Sequence, residues 1–256
     1  MEEKHLLYRV EDGVGRITIN REAQRNAITP EAVALFHDYL DAAERDADVR
    51  ALLVTGAGDK AFCTGAQLSG SVPTEGKDVF ESYANLLDRI VRFPKPTVAR
   101  VNGFCLAGGM GFMLACDIVV ASDDARFGTP EVNVGLWPMM IGALIFRNVL
   151  QKKAMEMILL GERLTAQEAL SMGLVTRVVS TDDLDKEVTK ILESLVSKSP
   201  IGMRIGKQAF YEIADKPLAD ALQFLAEKIK EVASTADAIE GITAFMEKRQ
   251  PVFKGN

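Results

Sequence analysis

Apolar positions along the chain fall into short runs of two different periods. In LLYRVEDGVGRITINR (residues 6–21) apolar and polar residues alternate on both sides of Asp12-Gly13, which predicts two strands joined by a tight turn. Apolar residues then recur at helical spacing through Val33, Phe36 and Leu40. Thr29 before them is a predicted N-cap and Pro30 a first helical residue, and the helix closes near Asp46. ALLVTG (51–56) reads as a buried strand, followed by a glycine turn and the short segment AFCTGAQL. Residues 69–78 (SGSVPTEGKD) are polar and turn-rich and predict a surface loop. A helix from about residue 79 to 92 runs to the break at Pro94-Lys95-Pro96. Next come the strand TVARVNG, a glycine-rich turn, the helix MGFMLACD and the strand IVVAS. Beyond about Ile141 the pattern is mainly helical, with one strand at LVTRVV, and the C-terminal residues read as amphipathic helices only. Strands alternating with helices predict an α/β fold, a parallel sheet covered by helices. The order predicts a β/α core over 1–195 and a helical region over 196–256.

Composition narrows the function classes. The 256 residues, 48% hydrophobic and 26% charged, suffice for a large core without disulfides or metals. A net charge of −6 with interspersed signs argues against a nucleic-acid surface, and leaves room for a small anionic ligand. Three cysteines without a CxxC pair, and only two histidines, predict neither a disulfide framework nor a metal site. The start, MEEKHLLYRVEDG, is charged and lacks an apolar signal segment, so a cytoplasmic setting is expected. GFCLAGGMGFMLACDIVVA (103–121) is almost long enough to span a bilayer. Its glycines, Asp117 and the switch to β-branched residues at Ile118 favour a buried turn, helix and strand, so no membrane is implied.

Two segments carry candidate chemistry. Gly103 and Ala107-Gly108-Gly109 stand between a predicted strand and helix, where small residues admit close approach to the backbone. The first N–H groups of the following helix lack intrahelical partners, so such a turn suits an anion or an oxygen that becomes anionic. Tight helix–strand packing explains the same glycines equally well on spacing alone. The spacing departs from the GxGxxG dinucleotide fingerprint, and no Lys-Ser or Lys-Thr follows to make a P-loop. CTGAQL (63–68) offers a second exposed turn at Gly65-Ala66; taken alone, an ordinary turn is the better reading.

The chain resembles the crotonase superfamily, the enoyl-CoA hydratase/isomerase group. The resemblance rests on 98–118, including Cys116-Asp117-Ile118, and on INREAQRNAIT, AFCTGAQL, RFGTPEVNVG, LTAQEALSMGLV and AFMEKRQPVF in the family's order. It implies an α/β spiral of ββα units with a C-terminal helical trimerisation region, acting as a homotrimer or dimer of trimers. It also implies an acyl-CoA substrate, with coenzyme A part of that substrate and no separate cofactor or metal. The backbone N–H groups of Ala66 and Gly108 would form an oxyanion hole around the thioester carbonyl, and Glu131 would move protons. Val132, Val134, Leu136 and Trp137 make an apolar setting that would raise the Glu131 pKa. Arg25 and Ala27 would lie on the coenzyme A side. Gly65, Gln67, Leu68, Gly109, Gly111, Pro130, Trp137 and Met139 would line the thioester and acyl site. Phe245 and Lys248 would reach the adenine end from a neighbouring subunit.

One departure bears on mechanism. The family's other glutamate falls where this chain has Gly111, a position expected to leave room for water or a bulkier acyl group, and Gln67 replaces a common aspartate. A single glutamate suits isomerisation and also permits a one-carboxylate hydration. Thioester hydrolysis, hydration of a cyclic dienoyl-CoA, and a catalytically silent acyl-CoA-binding homologue stand as alternatives.

Overall fold

The computed structural model describes residues 4–67 and 79–256. Leu68 and the loop expected over 69–78 lie outside the described residues.

Strands β1 (Leu6–Glu11) and β2 (Val14–Ile19) form the expected antiparallel hairpin. Asp12 and Gly13 both take positive φ, 51° and 76°, the twist a two-residue turn requires. Helix α1 (Pro30–Arg45) begins as the sequence predicts, the Thr29 hydroxyl accepting from the Ala32 N–H at 3.1 Å. Phe36 and Leu40, on its inward stripe, are fully buried. Then come β3 (Ala51–Gly56), β4 (Ala61–Cys63), α2 (Val79–Val91), β5 (Thr97–Val101), β6 (Phe104–Leu106), α3 (Gly108–Leu114), β7 (Ile118–Ser122) and β8 (Arg126–Gly128).

From β3 onward each circuit places one strand in each of two sheets and then a helix. The larger sheet has the order β1-β2-β3-β5-β7-β10, with β10 at Arg177–Val179; all its neighbours beyond the first hairpin are parallel. The smaller has the order β4-β6-β8-β9, where β9 (Leu164–Thr165) pairs antiparallel. Central strands of the larger sheet are buried on both faces, so they read as continuous apolar runs. Leu52 and Val54 face the main core with Phe36, Phe62 and Phe112. Ala51 and Leu53 face a second cluster under α7 (Leu184–Val196), with Val188 and Leu192.

The remaining helices are α4 (Met139–Asn148), α5 (Gln151–Leu160), α6 (Ala166–Met172), α8 (Pro200–Glu212), α9 (Leu218–Ala233) and α10 (Ala236–Glu247). Helix α8 and the C-terminal tail are tied to the core by polar contacts. Lys207 on α8 donates to Asp117 at 2.6 Å, and Asp117 also accepts from the Thr97 N–H at 2.7 Å. Arg50 donates to the Phe253 carbonyl at 2.9 Å.

Two sequence-based boundaries need correction. The helix expected over MGFMLACD starts earlier, at Gly108, and stops at Leu114, because Ala107 turns the chain and Asp117 is held at the start of β7 by Thr97. The strands β6 and β9 are absent from the pattern, being too short to show a period. Among the described residues no helix is long and apolar enough to cross a membrane, and 103–121 is the buried turn, helix and strand expected.

Candidate active site

The two glycine turns meet where β4 and β6, paired in parallel, both end. Gly65 has φ +94°, and a Cβ built there would lie 2.8 Å from Ala107 Cβ and 3.2 Å from the Gly108 nitrogen. A side chain at 65 would therefore strain the backbone and cover the Gly108 N–H. Ala107 takes φ 50° and ψ −135°, unusual for a residue with a Cβ, and this turns the chain sharply into α3. Its own N–H is anchored on the Gly128 carbonyl at 2.9 Å. The Gly65 turn is anchored on Ile28, whose N–H donates to the Gly65 carbonyl at 2.8 Å and whose carbonyl accepts from the Gln67 N–H at 2.9 Å. Between those bonds the Ala66 N–H is left over. Neither it nor the Gly108 N–H has a hydrogen-bond partner among the described residues. Two free N–H groups on adjacent turns are the donor pair that a developing oxyanion needs.

Gly109 serves packing: a Cβ there would overlap the Cys63 carbonyl, so α3 rests directly on β4. Gly111 corrects an expectation. A Cβ at 111 would overlap the Tyr83 phenol oxygen and lie 2.8 Å from Ile141 Cγ2 and 3.1 Å from Leu87 Cδ1. The space is filled by helices α2 and α4 and offers no room for water or a bulkier acyl group at that point. The Tyr83 hydroxyl donates to the Gly108 carbonyl, and its ring meets Phe112 edge-on at 5.5 Å. Burial holds the Tyr83 pKa well above the ordinary value, so it is a neutral phenol.

Glu131 lies in a short 3-10 helix, Pro130–Val134, opened by Pro130 after β8. Burial raises its pKa above the ordinary carboxylate value, a hydrogen bond from its own N–H opposing this. Glu131 Oε2 is buried without a hydrogen-bond partner among the described residues. An unpaired buried carboxylate oxygen is costly, and such oxygens concentrate where a ligand or a proton is handled. The Leu136 N–H donates to the Glu131 carbonyl at 3.0 Å and fixes the turn. Trp137 and Met139, at the start of α4, are 41% and 70% exposed, and Val134 and Leu136 are exposed as well. The apolar surroundings expected for Glu131 are thus in part an open apolar surface.

Arg25 is exposed, with φ 51°; its carbonyl accepts from the Thr64 hydroxyl at 3.2 Å, which joins its turn to the Gly65 segment. Ala27 is held by Arg21, which donates to the Ala27 carbonyl and, at 2.7 Å, to Gln67 Oε1. Gln67 is therefore a neutral acceptor for an arginine. Phe245, near the end of α10, and Lys248, its C-cap, are exposed, and among the described residues no hydrogen bond or ion pair joins them to these turns. Sequence reasoning missed Arg21, Asn26 and Tyr83. Asn26, fully buried at φ 56°, donates to the carbonyls of Ala57 and Ala61 at 3.0 and 2.7 Å and fixes the turn carrying Arg25. An asparagine in the left-handed region after a strand is a signal in itself. Among the described residues no group of acidic, histidine or cysteine side chains is placed to hold a metal.

The two-sheet α/β fold thus presents two N–H groups without partners among the described residues on adjacent glycine turns, and a half-buried carboxylate on the segment that follows β8. Residues 9–256 match the family model described as enoyl-CoA hydratase/isomerase. The chain is 36% identical to "Enoyl-CoA hydratase domain-containing protein 3, mitochondrial" of Xenopus laevis, over 95% of this chain and 84% of that protein. It is 34% identical to the short-chain-enoyl-CoA hydratase of Clostridium acetobutylicum, over 98% and 97%. The crystal structure of an enoyl-CoA hydratase from Bacillus anthracis superposes with a TM-score of 0.94 at 31% identity, covering 98% of this chain and all of that one. The chain belongs to the enoyl-CoA hydratase/isomerase family, within the crotonase superfamily.

Proposed function

We propose that this protein is an enzyme acting on acyl-CoA thioesters, in which the Ala66 and Gly108 N–H groups hold the thioester oxygen and Glu131 carries protons at the adjacent carbons. The observation that carries the reading is the pairing of the Gly65-Ala66 and Ala107-Gly108 turns with both N–H groups free. Enolisation of a thioester moves negative charge onto its carbonyl oxygen. Donors already aimed there stabilise the charge without reorganising, and removing one such donor typically costs about 10²–10³ in rate. Glu131 fits the proton role because its carboxyl, half-buried and raised in pKa, holds a proton longer than an exposed glutamate and gives it up again. The Clostridium relative is by name a short-chain-enoyl-CoA hydratase, which supports an enoyl thioester as substrate.

The exposed Arg25 fits the phosphates of coenzyme A beside Ala27, and Trp137 and Met139 fit the acyl side. Coenzyme A enters as part of the substrate, and no other cofactor is called for. The spiral of ββα units over 1–195 is supported by the two-sheet topology, and assembly through 196–256 by the exposed apolar residues of α9 and α10. We assign the chain a cytoplasmic setting, which its three free buried thiols suit; the Xenopus relative is by name mitochondrial.

The test is deuterium uptake at the α-carbon of butyryl-CoA in heavy water, read by mass. Wild type is expected to exchange, and its rate to rise with pH as Glu131 ionises, with a midpoint above the ordinary carboxylate value. Glu131→Gln is expected to bind the thioester and lose exchange by at least about 10²-fold. Binding without exchange in wild type overturns the enzymatic reading, and undiminished exchange in the variant removes Glu131 from its role.

A further inference from the structure

Helix α2 supplies a group that the glycine motifs do not announce. The Tyr83 oxygen occupies the volume in which a side chain at 111 would begin. Its one proton is committed to the Gly108 carbonyl, so toward the site the phenol oxygen presents lone pairs only. Burial keeps the phenol neutral, so it accepts a hydrogen bond and takes up no proton. Glu131 comes three residues after Gly128, whose carbonyl holds the Ala107 N–H next to Gly108, and likewise has a buried oxygen without a partner among the described residues. Two acceptors at one site are satisfied together by a single small molecule with two donor hydrogens, which is water.

We propose that Tyr83 stands in for the missing second carboxylate as a positioning residue, holding with Glu131 the water that adds to an α,β-unsaturated acyl-CoA thioester. The proposal rests on the reading of the site given above and deepens it to hydration. Glu131 takes a proton from the water as the water oxygen bonds to the β-carbon. The π electrons of the carbon–carbon double bond move toward the thioester oxygen, which the Ala66 and Gly108 N–H groups hold. The enolate then collapses, and Glu131 returns its proton to the α-carbon. One water is added, Glu131 ends as it began, and Tyr83 stays neutral throughout.

Two reactions of one enzyme separate this role from a structural one. Exchange at the α-carbon of butyryl-CoA needs the oxyanion donors and Glu131 but no held water. Hydration of crotonyl-CoA, followed by loss of the conjugated-thioester absorbance and a mass gain of one water, needs all three. Wild type is expected to do both. Tyr83→Phe is expected to lose kcat for hydration by at least about tenfold, a modest part of what misplaced reactants cost, and to keep KM and the exchange rate within a factor of about two to three. Equal losses of exchange and hydration in Tyr83→Phe, undiminished hydration in that variant, or a wild type that exchanges but hydrates no 2-enoyl thioester overturns the role of Tyr83. A wild type that binds thioester and exchanges nothing removes the underlying reading instead.

Discussion

Single atoms decide the site. Gly65 is required twice over: its φ of +94° is open to glycine, and the volume of a Cβ there belongs to Ala107 and the Gly108 N–H. Gly65→Ala is expected to cut α-carbon exchange by about 10²-fold, the cost of losing one oxyanion donor, while thioester binding measured by calorimetry changes far less. Exchange within a few-fold of wild type would mean that the Gly108 N–H is not a donor. At this scale much of the candidate site was legible. Ala66, Gly108 and Glu131 sit in short contiguous segments, and small residues record locally that a backbone must be approached. Tyr83 was not legible, because it lies in α2 at the spacing of Leu86, Leu87 and Ile90 and reads as one more core residue. Only the packing of α2 on α3 places its oxygen where position 111 has no side chain. Local sequence shows that a group is missing at Gly111 and says nothing about which distant helix replaces it.

Among elements, the decisive joint is between α8 and the parallel sheet. Asp117 stands just before β7, and its carboxylate gathers the Thr97 N–H and hydroxyl, Lys207 from α8 at 2.6 Å and the Tyr211 hydroxyl at 3.3 Å. Lys207 and Asp117 are 12% and 23% exposed, so the pair is mostly withdrawn from water, and removing one partner leaves the other underpaired. Lys207→Met is expected to cost about 2 kcal/mol, less than a fully buried pair because solvent still reaches Asp117, or about 4–8 °C in Tm for a chain this long. Hydrogen exchange should rise in α8 while β2, β3 and β5 stay protected; uniform loss across the chain would mean that Lys207 does not act at that joint. The sequence showed α1, β3 and β7 with near-exact bounds, because each has a cap or a long apolar run. The strands of the smaller sheet have two or three residues each. They are strands because neighbours pair with them, and pairing is a property of the assembled fold.

For the whole molecule, one exposed apolar surface lies at the C-terminal end. On α10, Ile239, Ile242 and Met246 recur at intervals of three and four, so they share one stripe, and each is at least 60% exposed. Leu218, Leu222 and Ile229 are equally open on α9, and Phe245 is 83% exposed. Large apolar side chains gathered in this way on adjacent helices suit a surface that another protein covers. A second and third copy of this chain account for it with the closed symmetry that homo-oligomers favour, and the family resemblance implies the same. Wild type is therefore expected to sediment at three or six times the 27.9 kDa chain mass. Ile242→Glu places a charge in the middle of the stripe, where a desolvated carboxylate without a partner is worth several kcal/mol against association, and is expected to release smaller species. The same variant separates two accounts of Phe245 and Lys248, which among the described residues form no hydrogen bond or ion pair with the glycine turns of their own chain. If they reach the coenzyme A of a neighbour, the dissociated Ile242→Glu protein should show KM for thioester raised several-fold with a smaller change in kcat, since the oxyanion donors and Glu131 come from one chain. An unchanged KM in the dissociated protein would confine Phe245 and Lys248 to assembly, and a wild type that sediments as a monomer would remove the oligomer altogether.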